Sequence, residues 1–301
     1  MTLLWIPLTI AAAFLQNVRS ALQKHLKGRL GTTGATFVRF GYGFPVAIAY
    51  LIMLVFVFDF DLPELNPSFI GFVVMGGLAQ ITATALLVTL FDARNFAVGT
   101  TYSKTETIQA AVFALVFLGE SISLTATIGI LVSLVGVIAI SVAKGQGGIG
   151  NLTGGRNNRA VLIGLASGGF FGIAAISVRG GSLSLGGDGF LVQAGFTLAV
   201  MLVFQTIVMG TYMAIRNASE LREVLAAWRV AMWVGASGAA ASIGWFTAMT
   251  IQNAALVRAL GQIELVFTIA ASVIVFREKI VRMELIGITL VVAGILILLL
   301  H

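Results

Sequence analysis

Five ionisable side chains lie inside stretches otherwise apolar enough to cross a membrane: Arg19, Arg39, Lys104, Glu106 and Glu264. A charge at the centre of a membrane helix costs about 2.5–3.5 kcal/mol on insertion scales, so such residues face a protein interior or a water-filled cavity. There they can do two kinds of chemistry. A carboxylate can take up a proton or bind an ammonium group, which makes Glu106 and Glu264 the candidates for proton coupling. A cation can bind a carboxylate, the role open to Lys104 and Arg19. Lys104 and Glu106 are two positions apart, about 200° around a helix, so they need partners elsewhere. The expected partners are Arg39 for Glu106 and, from the other half of the chain, Glu264 for Lys104. The same charges could instead form fixed ion pairs that only hold the bundle together.

The elements that carry them are membrane helices. The chain has 301 residues, 58% hydrophobic and only 10% charged, with a mean hydropathy of +1.03. Soluble domains carry about 25% charged residues, and a soluble fold of this length could not hide so much apolar surface. Ten apolar segments of about 20 residues are expected, near 2–23, 33–57, 68–91, 96–118, 122–143, 160–178, 188–215, 229–250, 254–276 and 281–300. The start, MTLLWIPLTIAAAFLQ, lacks a basic leader segment and reads as a retained first helix. There is no cysteine, which excludes thiolate chemistry, and neither His25 nor His301 has a ligand-like neighbour, so no metal site and no cofactor are expected. The net charge of +6 lies mostly between apolar segments, which suits membrane orientation rather than nucleic acid.

Residues 144–159, KGQGGIGNLTGGRNNR, form a Gly/Asn-rich linker between two similar halves, 1–143 and 160–301. At an offset of 158, Asn95 meets Asn253, Glu106 meets Glu264 and Glu120 meets Glu278. Gly129 and Gly136 likewise meet Gly287 and Gly294. Near the start of each half the offset is 154, and the difference fits a longer connection between the second and third helices of the second half. Five helices per half make an inverted repeat. The loops after odd-numbered segments hold 13 Lys and Arg; those after even-numbered segments hold only Arg179 and Arg258. The expectation is therefore cytoplasmic odd loops, with both termini periplasmic.

This chain resembles the drug/metabolite transporter superfamily, specifically its ten-helix EamA-type members. The resemblance rests on the two five-helix repeats, on ALVFLGESIS (114–123) followed by Gly129 and Gly136, and on SVIVFREKIV (272–281) followed by Gly287 and Gly294. Family members commonly carry a proline early in the fourth helix of each repeat; here Thr107 follows Glu106 and Leu265 follows Glu264. The resemblance implies a central cavity lined by helices 1, 3 and 4 and their counterparts 6, 8 and 9. Polar stripes at helical spacing mark Gln16, Arg19 and Gln23 on helix 1, Gln80 and Thr84 on helix 3, Tyr102, Glu106, Gln109 and Phe113 on helix 4, and Ser242, Trp245 and Met249 on helix 8. Ordinary interhelical hydrogen bonding explains such stripes as readily.

The candidate substrate-binding set is Gln16, Arg19, Gln80, Thr84, Tyr102, Lys104, Glu106, Trp245, Gln262 and Glu264, with Arg39 as charge partner. Glu120 and Glu278 read as structural residues at helix ends, and Trp5, Trp228 and Trp233 as interfacial anchors. The function expected is a secondary transporter, in the exporting sense, of a small organic metabolite such as an amino acid or related zwitterion, and not an enzyme. It would sit in a bacterial inner membrane as a monomer or homodimer. A lipid-carrier flippase of related architecture and a non-transporting scaffold are the alternatives.

Overall fold

The computed structural model describes residues 3–27, 29–90, 102–144, 158–187, 189–274 and 281–300. Most of the 144–159 linker, Asn95 and Glu278 lie outside the described residues. The described chain is helical, without strands. Its elements are α1 (Trp5–Lys27), α2 (Thr32–Gly41), α3 (Phe44–Phe56), α4 (Pro67–Leu90), α5 (Glu106–Leu118), α6 (Leu124–Lys144), α7 (Asn158–Ser184), α8 (Phe190–Arg216), α9 (Ala218–Ala226), α10 (Trp228–Ile251), α11 (Ala254–Leu260), a 3-10 turn (Gly261–Ile263), α12 (Glu264–Ile274) and α13 (Arg282–Leu299).

Seven spans among the described residues are long and apolar enough to cross a membrane: α2 with α3, α4, α6, α7, α8, α10 and α13. The shortfall against ten has a physical cause. Helix α1 carries Gln16, Asn17, Arg19, Ser20 and Gln23 on its inner side, which lowers its hydropathy. The fourth and ninth expected helices are interrupted, and α5 is only 13 residues long. These three regions bear Arg19, Lys104, Glu106 and Glu264, whereas Arg39 lies on α2, within one of the seven spans. Their apolar faces still point outward: Val112, Leu115, Val116 and Phe117 of α5 are exposed while Ala110 and Ala114 are buried. That distribution, large apolar side chains outside and small ones at contacts, is what a lipid environment selects. The chain is a multi-pass membrane protein.

The second expected helix is broken. Gly41 and Gly43 flank the break, and Pro45 near the start of α3 has no N–H to continue the α2 ladder. Gly235 of α10 packs against the break so closely that a Cβ there would lie 2.4 Å from Tyr42 Cβ. In the longer connection of the second half stands α9, capped by Asn217, whose Glu220 carboxylate accepts a hydrogen bond from Gly34 N (2.7 Å).

Helix pairing exposes the duplication. The most extensive contacts are α6 with α13, α4 with α7, and α1 with α10. At the repeat offsets α1 corresponds to α7 and α4 to α10, so the last two pairs are one interface occurring twice. In the first pair a Cβ on Gly129 would lie 2.7 Å from Gly294 O, and one on Gly136 would lie 2.7 Å from Gly287 O. One helix ascends as the other descends, so Gly129 meets the counterpart of Gly136 and Gly136 meets the counterpart of Gly129. An antiparallel pair exchanged by a twofold perpendicular to its axes is what an inverted duplication produces. The glycines are there because backbone approaches backbone. Trp228 and Trp233 are exposed, as interfacial anchors are, but Trp5 is 5% exposed and belongs to the core.

Candidate functional site

Each repeat places its acidic residue just after an irregular turn. In the first, Lys104 and Thr105 form a turn before α5 begins at Glu106, with Thr105 Oγ1 donating to Tyr102 O (2.6 Å). In the second, α11 ends and the 3-10 turn Gly261–Ile263 precedes Glu264. The helix is broken at both places although the proline that family members commonly carry there is missing. A break of this kind aims the first-turn side chain of the following helix into the bundle.

The two glutamates line one cavity of about 180 Å³. Its walls come from α1 (Gln16, Asn17, Arg19, Ser20), α2 (Arg39), α4 (Gln80), the start of α5 (Ser103, Lys104, Glu106), α7 (Phe171, Val178), α10 (Ser242, Trp245, Met249), α11 (Arg258) and α12 (Glu264). Both repeats contribute. Irregular backbone at membrane depth is tolerated where it lines such a cavity.

Lys104 forms an ion pair with Glu264 across the repeats. The other carboxylate oxygen, Oε2, accepts from Gln16 Nε2 (2.8 Å), and Asn17 Nδ2 donates to Glu264 O (2.8 Å). Glu264 is therefore fully engaged by α1 and Lys104. Arg39 is not the partner of Glu106: its Nη1 donates to Thr84 Oγ1 (2.8 Å) on α4. Glu106 instead faces Arg258, with Nη1 to Oε1 at 3.9 Å. The reason is placement. Arg258 stands on α11, which packs directly on α5, whereas Arg39 stands on α2 against α4. Arg258 lies beside two rings, 5.0 Å from the Trp245 centroid and 6.0 Å from that of Phe171.

The remaining sequence candidates divide. Gln80 lines the cavity, though its Oε1 accepts from Gln205 Nε2 (2.8 Å). Thr84 is buried and serves Arg39 outside the lining; Tyr102 is half-buried and also outside it. Gln262 lies behind, donating to Thr107 Oγ1 (3.1 Å). Gln23 bonds Ala35 O (2.7 Å), and Gln109 and Phe113 press on Gly168, Gly169 and Gly172 of α7. Their stripe is packing, and it explains the small residues opposite. Trp245, Arg19 and Arg258 do line the cavity, and each holds a buried N–H without a protein partner: Trp245 Nε1, Arg19 Nε and Arg258 Nε.

Sequence reasoning missed Arg258 and Arg179 by assigning them to loops. Their signal was visible: each sits within a run of apolar and small residues, AALVRAL and AISVRGG. Arg179 Nε donates to both oxygens of Glu120 (2.6 and 2.9 Å), and its Nη1 to Met249 O (2.8 Å). Asn253 Nδ2 donates to Glu120 Oε2 (2.9 Å). Glu120 comes from the first repeat, and Arg179, Met249 and Asn253 from the second. Val178 and Met249 also line the cavity, so this network lies beside it.

No curated protein matches the sequence. A solved structure, described only as the crystal structure of a protein, superposes with a TM-score of 0.70 at 18% identity, covering 99% of this chain and 95% of that one. That likeness shows the fold. The sequence pattern of the EamA-like transporter family matches residues 3–142 and again residues 158–300. Two copies of one family unit, each ending in a helix that packs by its glycines and each supplying a glutamate to a shared polar cavity, place this chain in the EamA-like transporter family.

Proposed function

We propose that this protein is a secondary transporter that carries a small organic metabolite through the membrane by alternating access of its two halves. The observation that carries the reading is the cavity itself. It is polar, lies between the repeats, and is bridged by the Lys104–Glu264 ion pair, whose members come one from each repeat. A cavity of about 180 Å³ suits a metabolite; drug-sized ligands take about 300–1,000 Å³. It is small for a lipid carrier, which weighs against the flippase alternative.

In this reading the chain crosses ten times, with α2 and α3 as one crossing and α11 with α12 as another. The Glu120–Arg179 network is then the closure beside the cavity, and opening there requires that network to part. The charge bias supports cytoplasmic odd connections, both termini periplasmic, and residence in a bacterial inner membrane. The two arginines that opposed the bias, Arg179 and Arg258, are held inside the protein by Glu120 and by aromatic rings, so neither acts as a loop charge. Glu106 and Glu264 are the groups a proton would reach, and their release from Arg258 and Lys104 would couple protonation to rearrangement.

The test compares metabolites in medium and cytoplasm of cells expressing the protein, its Glu106→Gln variant at matched levels, or an empty vector. A compound enriched outside only with the unmodified protein identifies an exporter that uses Glu106. Depletion from the medium means uptake. No difference from the empty vector refutes the transporter reading and favours a scaffold.

A further inference from the structure

The charges of the cavity do not balance. Four cations line it, Arg19, Arg39, Lys104 and Arg258, against two carboxylates, Glu106 and Glu264. Lys104 occupies one oxygen of Glu264 and Gln16 the other, while Arg258 stands nearest Glu106. Among the described residues Arg19 and Arg39 face no carboxylate. Their described partners are hydroxyls, Ser20 Oγ at 3.3 Å and Thr84 Oγ1 at 2.8 Å. Both are deeply buried, Arg19 at 4% and Arg39 at 6% exposure. They converge on one face of α10: a Cβ on Gly238 would lie 3.1 Å from Arg19 Cδ and 3.8 Å from Arg39 Cγ. Two like charges lie buried side by side and Arg19 Nε has no partner among the described residues, so an anion between them would offset their repulsion.

We infer that the cavity's substrate is a small organic dianion, a dicarboxylate or a phosphate monoester, gripped by the guanidinium groups of Arg19, Arg39 and Arg258. The inference rests on the transporter reading and narrows it. A planar guanidinium with several fixed donors matches an oxyanion in a way an ammonium does not, and two net negative charges neutralise the surplus. Lys104 and Gln16 hold the two oxygens of Glu264 and Arg258 is the cation nearest Glu106, so the surplus of cations favours an anion over a neutral amino acid or a cation. The rings of Trp245 and Phe171 hold Arg258 from one side and leave the solute's carbon skeleton an apolar wall.

The experiment uses the purified full-length protein in detergent and four probes at constant ionic strength: succinate, glycerol 3-phosphate, alanine and putrescine. Thermal unfolding is followed with each. Succinate, glycerol 3-phosphate or both raise the midpoint, and alanine and putrescine do not; which anion acts tells carboxylate from phosphate. Arg19→Gln weakens the response about tenfold or more, and Arg19→Lys retains part of it. The unliganded midpoints of both variants separate lost binding from lost folding. The same probes are then offered to proteoliposomes. An anion that binds and is carried supports both proposals. An anion that binds but is not carried leaves the binding inference standing and refutes transport. Alanine or putrescine carried in place of the anions keeps the transporter and overturns the inference. No stabilisation by either anion overturns it as well.

Discussion

Replacing Glu264 by glutamine removes one charge and keeps the shape. The amide oxygen still accepts from Gln16, but Lys104 loses the carboxylate with which it forms its ion pair. Removing one member of a buried pair costs about 3–5 kcal/mol, chiefly because the other charge stays buried. The pair here is not fully dry, with side-chain exposures of 20% for Lys104 and 10% for Glu264. Water relieves part of the penalty, so the expected loss is about 2–3 kcal/mol. In thermal unfolding that is a fall of roughly 5 °C or more. Lys104→Met should cost a similar amount, since it strands the carboxylate. The double variant leaves no stranded charge and should recover to within about 1 kcal/mol of the parent, a coupling of about 2 kcal/mol or more. The cycle is measured on purified protein in one detergent. Strictly additive single effects would refute the reasoning: Lys104 and Glu264 would then not sense each other, and the cavity would not be bridged between repeats.

Three further outcomes are expected. With no native cysteine, a Val178→Cys probe should react faster with a membrane-impermeant maleimide when Glu120→Gln is added, because the network with Arg179 and Asn253 is weakened; an unchanged rate counts against a closure at that end. Gly136→Val should destabilise by about 3 kcal/mol or more, since even its Cβ would meet Gly287 O and Val291 N at 2.7 Å, whereas Gly119→Ala, with open space around it but φ of 66°, should cost only about 1–2 kcal/mol; equal midpoints would mean that α6 and α13 are not pressed together. Glu220→Ala should lower stability by about 1–3 kcal/mol by leaving Gly34 N without its acceptor, read as a drop in the unfolding midpoint.

The repeat was legible because duplication preserves spacing, and Glu106/Glu264 and the glycine pairs keep theirs. The Lys104–Glu264 contact was legible because a charge in hydrocarbon demands a partner and few were available. The partner of Glu106 was not. Arg258 lies inside the expected ninth segment, 254–276, yet the charge count places it with the preceding loop, and a short helix followed by a 3-10 turn gives no periodic signal that would aim its side chain inward. Arg39 shows the opposite difficulty, a cation held by a hydroxyl, a pairing that charge arithmetic does not anticipate. The stripes on helices 1 and 4 were real at the level of spacing but mixed in purpose: Arg19 enters the cavity while Gln23 ties a backbone carbonyl. The break between α2 and α3 was invisible to hydropathy, which reads the whole stretch as one apolar run.

The placement of the cavity charges also governs how the protein is made. Arg19, Arg39, Lys104 and Glu106 are all translated with the first repeat, yet Arg258 and Glu264 belong to the end of the second. Glu264 emerges roughly 160 residues after Lys104, a wait of about 10–30 s at ordinary elongation rates. For that interval the first half must lodge uncompensated charge at membrane depth. Of the helices that carry it, α2 with α3 is apolar enough to cross, whereas α1 is interrupted by polar side chains and α5 is short. Biogenesis of this protein should therefore depend on a sheltered setting, such as the insertion machinery or a delayed entry of α1 and α5 into lipid, until the last helices arrive with the matching groups.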